Sequence, residues 1–184
     1  MSAREKILDA YEALLIEEGE RATSLNAIAA KAGVSKGGLL YHFPDKTTLI
    51  DGLLARLEQL AHKDLEAMAQ APEGPSNYYL RTSVYADSPL DRAYVAVSRL
   101  RQDAAAKVAR AYEDIQGRWL QLIRTEVKSE AAARAILLLG DGLYYNAALA
   151  SSETRAQNQA LQKDLEALLE VADKLKTLRL PKLG

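Results

Sequence analysis

The side chains that could do chemistry near the N-terminus surround two adjacent glycines. In the stretch AGVSKGGLLYHFPDK, Lys36 comes directly before Gly37 and Gly38, and Tyr41 and His42 follow shortly after. Lysine, tyrosine and histidine side chains can donate hydrogen bonds to phosphate oxygens or to base edges. A glycine inside a helix costs about 1 kcal/mol relative to alanine, so two in succession require a physical reason. One such reason is that a backbone without Cβ atoms can lie close to another surface, and a DNA duplex is a surface that fits these donors.

The sequence gives little support for enzymatic chemistry. There is no cysteine, which excludes disulfides, zinc–thiolate sites and thiol catalysis. The two histidines, His42 and His62, are too far apart in the chain for a metal-binding pair. Asp141 and several tyrosines could in principle do acid–base work, but no nucleophile is paired with a base. We therefore expect no cofactor, no metal and no enzymatic activity, and we interpret His62 as an ordinary surface histidine.

The composition is that of a globular protein without membrane segments. The chain has 184 residues, of which 48% are hydrophobic and 27% charged, which suits one or two small domains with a real core. There is no run of about 18 apolar residues that could span a membrane. The charged start MSAREKILDA lacks the apolar core of a secretion signal. These features predict a cytoplasmic protein with no membrane partner.

The distribution of charge gives a weak indication of where a nucleic acid would bind. The formal net charge is -1, and residues 1–48 hold six Lys or Arg against seven Asp or Glu. From Arg21 to Phe43, however, there are three basic residues and no acidic one. A local excess of positive charge favours contact with a polyanion even when the net charge of the chain is negative.

Helical periodicity runs through the sequence, and no segment alternates as a strand would. Apolar residues recur at helical spacing, and Gly19 and Gly33 stand where helices should end. Residues suited to N-capping precede five predicted helices, at Ser24, Ser35, Asp45, Ser88 and Ser129. The segment APEGPSN is predicted to be a linker or turn. The pattern predicts an all-α protein of about nine helices, with a small N-terminal group of three and a larger C-terminal group.

Two short helices are predicted on either side of Gly33. Ser35 caps the second of them, which must end before Pro44. Two helices joined by a glycine-containing turn form a helix-turn-helix, whose second helix enters the major groove by its N-terminal end. The free amides and the positive dipole at that end also attract phosphate. The alternative is that Gly37 and Gly38 only allow tight packing against neighbouring helices.

The segment TSLNAIAAKAGVSKGGLLYHFPDKTTLIDGLL resembles the DNA-binding domain of the tetracycline-repressor (TetR) family of bacterial transcriptional regulators. The resemblance covers about Arg4 to Leu54. It rests on a capped T-S before an apolar residue, then I-A, A-G-V-S-K-G, an aromatic residue, H-F and P-x-K in order. Many members carry tyrosine where this chain has Leu40, so Leu40 either touches a thymine methyl group or packs internally. Beyond this segment, the chain agrees with the family only in length and helix layout.

The resemblance implies a role for each matching residue. Ser24 would bind phosphate, Asn26 would contact a base or the DNA backbone, and Lys46 would hold phosphate at the start of the fourth helix. The recognition helix would be led by Ser35, Lys36, Gly37 and Gly38 and would end with Tyr41 and His42. For His42, a phosphate contact is favoured over a purely structural role. The implied domains are a helix-turn-helix DNA-binding domain at 1–48 and a ligand-binding and dimerisation domain at 49–184.

Tyrosines concentrate in the C-terminal part of the chain. Seven of the nine lie between Tyr78 and Tyr145, where they are either core residues with hydroxyls at the surface or the lining of a pocket. Asp141 lies in the apolar helix AILLLGDGLYYNAALA and would pair with an arginine, cap a helix or bind a ligand. Family members usually bind a small effector in this region. The resemblance therefore implies a site for an aromatic or cationic effector, lined by Tyr78, Tyr85, Tyr94, Tyr112, Trp119, Asp141 and Tyr145.

The last two predicted helices carry stripes suited to helix association. In the last helix, a heptad-like 4-3-4-3 spacing joins Leu161, Leu165, Leu168, Ala172 and Leu175. The helix before it carries Ala131, Ala135, Leu138, Gly142, Tyr145 and Leu149. These stripes are either buried against the chain's own body or form the four-helix interface of a homodimer, which the resemblance favours. A dimer would present two recognition helices to half-sites about 34–36 Å apart or a multiple of it.

These features predict a bacterial homodimeric repressor that binds double-stranded operator DNA and is released by a small-molecule effector. In this hypothesis the fourth helix, which runs from Lys46 to the neighbourhood of Met68, transmits the presence of the effector to the DNA-binding end. The competing hypotheses are an enzyme and a helical interaction module with no role on DNA.

Overall fold

Helices make up nearly all of the described chain. A computed structural model describes residues 1–84, 87–100, 104–149 and 159–178, and these residues contain no strand. The elements are α1 (Ala3–Glu18), a 3₁₀ turn (Glu20–Ala22), α2 (Leu25–Ala32), α3 (Lys36–His42), α4 (Lys46–Ala69), α5 (Pro75–Thr82), α6 (Pro89–Ser98), α7 (Ala105–Arg124), α8 (Glu130–Leu149) and α9 (Gln159–Thr177). The all-α prediction is confirmed, and so is the short helix pair near the N-terminus.

The helices fall into two compact units. The first unit contains Met1–His62 and Asp87–Asp114, and the second contains Lys63–Ala86 and Ile115–Gly184. Helices α4 and α7 therefore each contribute residues to both units. The domain boundary after residue 48 that we expect from the sequence stays a prediction. In the structure, α6 and the first half of α7 group with the N-terminal helices.

Helix α1 organises the first unit. The Ser2 side chain caps it and exchanges hydrogen bonds with Glu5 in a capping box, which satisfies amides that a helix start leaves free. Its apolar stripe is almost fully buried, at Ile7, Leu8, Tyr11, Leu14 and Leu15. Because this stripe faces inward, α1 packs against α2, α3 and α6 and holds the helix-turn-helix in place.

The turn between α2 and α3 is built as the sequence predicted. Ser24 caps α2, and Gly33 ends that helix in the left-handed conformation with φ of 66°, which glycine adopts without the penalty other residues meet. Ser35 then caps α3. The cap at each start fixes where each helix begins, so the side chains of α3 have a defined direction.

The second unit is built from α5, α8 and α9, which pack on one another, together with the ends of α4 and α7. Helix α5 lies partly where the sequence pattern predicted only a linker: Pro75 is its first helical residue, a position that proline tolerates well. The Glu126 carboxylate accepts a hydrogen bond from the Ser76 amide at 2.6 Å, so a neighbouring acid stabilises the start of this short helix.

Among the described residues, no helix is both long enough and apolar enough to cross a membrane.

Candidate nucleic-acid interface and effector cluster

The N-terminal end of α3 is open to solvent. Lys36 and Gly37 are exposed, and the Gly38 amide donates a hydrogen bond to Ser35 Oγ at 3.0 Å. A Cβ placed on Gly37 would have Ser35 Oγ, 4.0 Å away, as its nearest neighbour. The first unit therefore gives no packing reason for this glycine, and the alternative that it accommodates a neighbouring helix is not supported at Gly37.

The opposite side of α3 anchors the helix. Leu39 is fully buried and Phe43 is 2% exposed. The Phe43 ring lies against Gly52 of α4, where an added Cβ would come within 2.8 Å of the ring. This contact fixes the direction of α3 relative to the first turns of α4. The outer face of α3 is thereby held rigidly, which is what a surface that reads another molecule requires.

Tyr41 is the most exposed aromatic side chain of the described chain, at 84%. The His42 ring meets it edge to face, with centroids 5.1 Å apart, and His42 itself is half-buried. Leu40 is also half-buried. Tyr41 and His42 thus form a paired aromatic end to α3, with the tyrosine hydroxyl free to reach outward.

The starts of α2 and α4 supply the remaining predicted DNA contacts. Ser24 and Asn26 are exposed, and Ser24 Oγ accepts a hydrogen bond from the Ala27 amide at 3.1 Å. Lys46 is the first residue of α4, and its Nζ lies 3.8 Å from Glu20 Oε1. The nine predicted contact residues all lie in the first unit, mostly exposed, where they can meet phosphates and base edges without rearrangement of the core.

A second group of polar contacts lies in the second unit around Asp64 of α4. Its carboxylate accepts hydrogen bonds from the Tyr78 hydroxyl at 3.1 Å and from Trp119 Nε1 at 2.8 Å. Burial, followed by the nearby Asp64 charge, raises the pKa of Tyr78 to about 12. Tyr78 therefore stays a neutral donor at all physiological pH values.

Asp141 of α8 holds a parallel arrangement. It accepts hydrogen bonds from the Tyr79 hydroxyl at 2.8 Å and from the Gln116 amide at 3.2 Å. Both donors are neutral, and burial raises the pKa of Asp141 in spite of them. The Tyr79 ring lies 5.5 Å from the Trp119 ring, so the two carboxylates and their donors form one continuous set. We call this set the carboxylate–aromatic cluster.

Gly140 makes the cluster possible. A Cβ on Gly140 would collide with the Tyr79 ring and with Ser83 Oγ. Only a residue without a side chain lets α5 approach α8 closely enough for Tyr79 to reach Asp141.

The other predicted effector residues lie elsewhere. Tyr94 and Tyr112 belong to the first unit, where their rings are 4.4 Å apart and the Tyr112 hydroxyl donates to the Tyr94 carbonyl oxygen at 2.7 Å. Tyr145 is 65% exposed on α8. Tyr85 lies outside the described residues. Of the predicted set, the structure brings together Tyr78, Trp119 and Asp141.

Three members of the cluster were not among the predicted site residues: Asp64, Tyr79 and Gln116. A signal for Asp64 is present in the sequence. Leu57, Ala61 and Met68 are fully buried on α4, and Asp64 falls on the same helical row. An acid on a buried row requires a partner or a function. Gln116 likewise shares its helical row with buried residues of α7. For Tyr79 the sequence gives no signal that sets it apart from the other C-terminal tyrosines.

The fold and the open helix end define an all-α protein with an N-terminal helix-turn-helix domain. Residues 7–53 match the family model described as "Bacterial regulatory proteins, tetR family". Over these residues the chain is similar to the TetR family of bacterial regulatory proteins.

Two curated relatives match part of the chain. The HTH-type transcriptional regulator AcrR of Shigella flexneri is 36% identical over 73 residues, which are 39% of this chain and 34% of AcrR. The HTH-type transcriptional repressor BepR of Brucella suis biovar 1 (strain 1330) is 38% identical over 53 residues, 29% of this chain and 25% of BepR. The chain thus spans only about a third of the length of AcrR and a quarter of the length of BepR.

The fold extends over nearly the whole chain. The crystal structure of the multidrug binding protein EbrR in complex with malachite green aligns with a TM-score of 0.66 at 20% sequence identity. The alignment covers 94% of this chain and 96% of EbrR. This likeness concerns the fold.

Proposed function

We propose that the protein is a homodimeric transcriptional repressor that binds operator DNA through α3 and releases it when a small molecule binds the second unit. The observation that carries the DNA-binding part is the open N-terminal end of α3. There Lys36 and Gly37 are exposed, no described side chain comes closer than 4.0 Å to the place of a Cβ on Gly37, and Tyr41 is 84% exposed at the other end. The match of residues 7–53 to the tetR family model and the names of the relatives AcrR and BepR support the same function.

Salt dependence of DNA binding tests this proposal. Each lysine that neutralises a phosphate contributes about 0.9 to the slope of log Kd against log salt concentration. Lys36→Ala and Lys46→Ala should therefore weaken binding to a duplex from upstream of the protein's own gene and flatten its slope by about one unit each. Lys128→Ala, at an exposed position of the second unit, is the matched control and should change neither quantity. Unchanged slopes in the first two variants would rule out these phosphate contacts.

The carboxylate–aromatic cluster supports an effector that is a lipophilic cation with aromatic character. Asp64 and Asp141 supply negative charge, and Tyr79 and Trp119 supply ring faces, which attract organic cations. The Asp141 carboxylate accepts its hydrogen bonds from two neutral donors, Tyr79 and Gln116, so a cation that enters can add a charge interaction with it. EbrR, which shares the fold, was crystallised with malachite green, itself a compound of this chemical class.

A thermal-shift comparison tests the effector class. Malachite green and related aromatic cations should raise the melting temperature, whereas neutral and anionic aromatic compounds of similar size should not. Asp141→Asn should remove most of the shift with cations. The matched control is Asp114→Asn, which removes a carboxylate from an exposed position of the first unit. Equal shifts for cationic and neutral compounds would contradict the charge selectivity.

The exposed face of α8 supports the homodimer. Leu138 is 67% exposed and Tyr145 is 65% exposed. Gly142 lies between them on the same face, and an added Cβ there would meet none of the described residues within 4 Å. Such a face, with a small residue between two large apolar ones, suits close packing against a second copy. Tyr145 fits this role better than effector binding.

Helix α9 offers fewer exposed apolar side chains for the proposed dimer interface than its heptad-like pattern suggested. Leu165 and Ala172 are buried within the second unit, and Leu168 and Leu175 are half-buried. Val171, off the predicted seam, is 42% exposed. The side chains of Leu149 and Leu161 lie outside the described residues. We therefore place the centre of the proposed dimer interface on α8.

Sedimentation measurements test the dimer. Leu138→Asp should shift the protein from dimer to monomer and lower operator affinity, because one recognition helix then binds without its partner. Gln121→Glu, an exposed change of charge on α7, is the control and should remain dimeric. A dimer that persists in Leu138→Asp would place the interface elsewhere.

Helix α4 is the proposed link between effector and DNA. It begins with Lys46, at the proposed phosphate contact, and it carries Asp64, which holds Tyr78 and Trp119. An effector that draws Asp64 toward itself would displace α4, whose first residue, Lys46, is the proposed phosphate contact. Couplings of about 1–3 kcal/mol are typical of such linkage, which corresponds to a loss of operator affinity of roughly 5- to 150-fold.

A further inference from the structure

A groove of about 280 Å³ lies where α2 and α4 begin, and it contains charges of both signs. Its lining residues are Glu20, Arg21, Thr23, Ser24, Leu25 and Lys46. Two of them are cations, and the groove borders the N-terminal end of α2, whose amides favour an anion. Glu20, by contrast, places a carboxylate in the same groove.

The Glu20 carboxylate forms an ion pair with Lys46. Glu20 Oε1 lies 3.8 Å from Lys46 Nζ, and the Glu20 side chain is only 14% exposed whereas that of Lys46 is 44% exposed. The Glu20 side chain is therefore largely buried beside the 3₁₀ turn, whereas the Lys46 side chain is open to solvent and to a ligand. A duplex phosphate that approaches the groove must draw Lys46 away from Glu20 and also come close to the Glu20 charge.

We propose that Glu20 is an attenuator of DNA binding, which lowers affinity for every duplex by holding Lys46 and by repelling the phosphate. This inference rests on the proposed function. Phosphate contacts carry no sequence information, so the attenuation acts on the sequence-independent part of binding. Its consequence is a lower occupancy of non-operator DNA and an operator complex that an effector with modest coupling energy can still dissociate.

The variant Glu20→Gln tests the attenuator, because glutamine keeps the shape of the side chain and removes its charge. Its control is Glu18→Gln, which removes the same charge from the exposed last residue of α1 and does not line the groove. Dissociation constants are measured by fluorescence anisotropy on two duplexes of equal length, one from upstream of the gene and one of random sequence. Both are measured over a series of salt concentrations.

We expect Glu20→Gln to tighten binding to both duplexes by about threefold to tenfold at low salt, with a gain that shrinks as the salt concentration rises. Glu18→Gln should give a smaller gain, since its charge acts only at longer range. In a Lys46→Ala background, the gain from Glu20→Gln should become smaller but stay above that of the control, because only the direct repulsion between Glu20 and the phosphate then remains. Glu20→Ala repeats the measurement if the glutamine variant does not fold.

The outcomes separate this inference from the proposed function. If the wild-type protein binds both duplexes but Glu20→Gln and Glu18→Gln improve affinity equally, the attenuator role of Glu20 is wrong and DNA binding stands. The attenuator role of Glu20 is also wrong if Glu20→Gln gives the same gain in affinity in the Lys46→Ala background as in the wild type. A wild-type protein that binds neither duplex at any salt concentration overturns the proposed function and this inference with it.

Discussion

Replacing Gly37 by alanine should make the protein more stable and its DNA binding weaker. The added methyl group would have only Ser35 Oγ, 4.0 Å away, as a neighbour, so no clash opposes the change in the free protein. Alanine is favoured over glycine in a helix by about 0.5–1 kcal/mol. For a chain of this length, the melting temperature should then rise by roughly 1–4 °C.

The opposite result is expected for affinity. If the backbone of Gly37 lies against a duplex, the methyl group must be inserted into a packed interface. Overpacking of this kind costs about 1–3 kcal/mol, which is roughly a 5- to 150-fold weaker Kd for the operator. A purely structural glycine would show the reverse pattern, with stability lost and affinity per folded molecule unchanged.

Gly117→Ala supplies the matched control. Gly117 also lies inside a helix, is exposed, and has nothing within 4 Å of an added Cβ. This variant should gain the same stability and keep wild-type affinity. Denaturant unfolding and fluorescence anisotropy on the same preparations measure both quantities. The reasoning fails if Gly37→Ala binds DNA as tightly as Gly117→Ala.

Three further changes test contacts within each of the two units. Tyr11→Phe should stabilise the protein by about 1–2 kcal/mol in denaturant unfolding, because the Tyr11 hydroxyl is buried and has no hydrogen-bond partner among the described residues; a loss of stability would reveal a partner. Glu12→Ala should destabilise by about 1 kcal/mol, since it removes the contacts of Glu12 with Arg56 at 3.4 Å and with Arg92 at 3.1 Å while Arg56 keeps its contact with Asp9 at 2.7 Å, and an unchanged unfolding midpoint would contradict this. Asp141→Asn should raise the melting temperature at neutral pH. Burial raises the folded-state pKa of Asp141. The stability that the protonated Asp141 carboxyl contributes is therefore present below the unfolded-state pKa of about 3.9 and is lost as pH rises through the folded-state pKa. The difference between variant and wild type should therefore vanish in acid, and a difference independent of pH would show that Asp141 is not the titrating group.

The helix-turn-helix could be predicted from sequence because its signals are local. Ser24 and Ser35 cap helices through bonds to residues three positions away, and Gly33 supplies a left-handed φ within a single residue. Each of these requirements is decided by neighbours in the chain. The same holds for the burial of Leu39 and Phe43, which follows from helical spacing.

The carboxylate–aromatic cluster depends on contacts between distant residues, and the sequence predicted only part of it. Tyr79 reaches Asp141 because Gly140 lets two helices come close, and no local pattern states which tyrosine will face that glycine. Tyr94 and Tyr112 look equally suitable as pocket residues in sequence, yet their contact lies in the first unit. Only the packing of the helices distinguishes these cases.

A helix glycine without internal contacts is a useful but insufficient sign of a partner surface. Gly37, Gly117 and Gly142 each leave open space where a side chain would stand, and each weakens its helix by about 1 kcal/mol. Around Gly37 the exposed residues are a lysine and a tyrosine, which suit DNA. Around Gly142 they are Leu138 and Tyr145, which suit an apolar partner.

Gly117 differs in its surroundings. One turn away on either side of it on α7 stand Glu113 and Gln121, both exposed. A carboxylate repels phosphate, and a polar side chain gives no apolar area to bury, so neither proposed partner is attracted to this face. The chemistry of the neighbouring side chains, and not the glycine itself, therefore decides which partner an open helix face can bind. For this reason Gly37→Ala and Gly142→Ala should each weaken one association, of DNA and of the second subunit respectively, while Gly117→Ala should weaken neither.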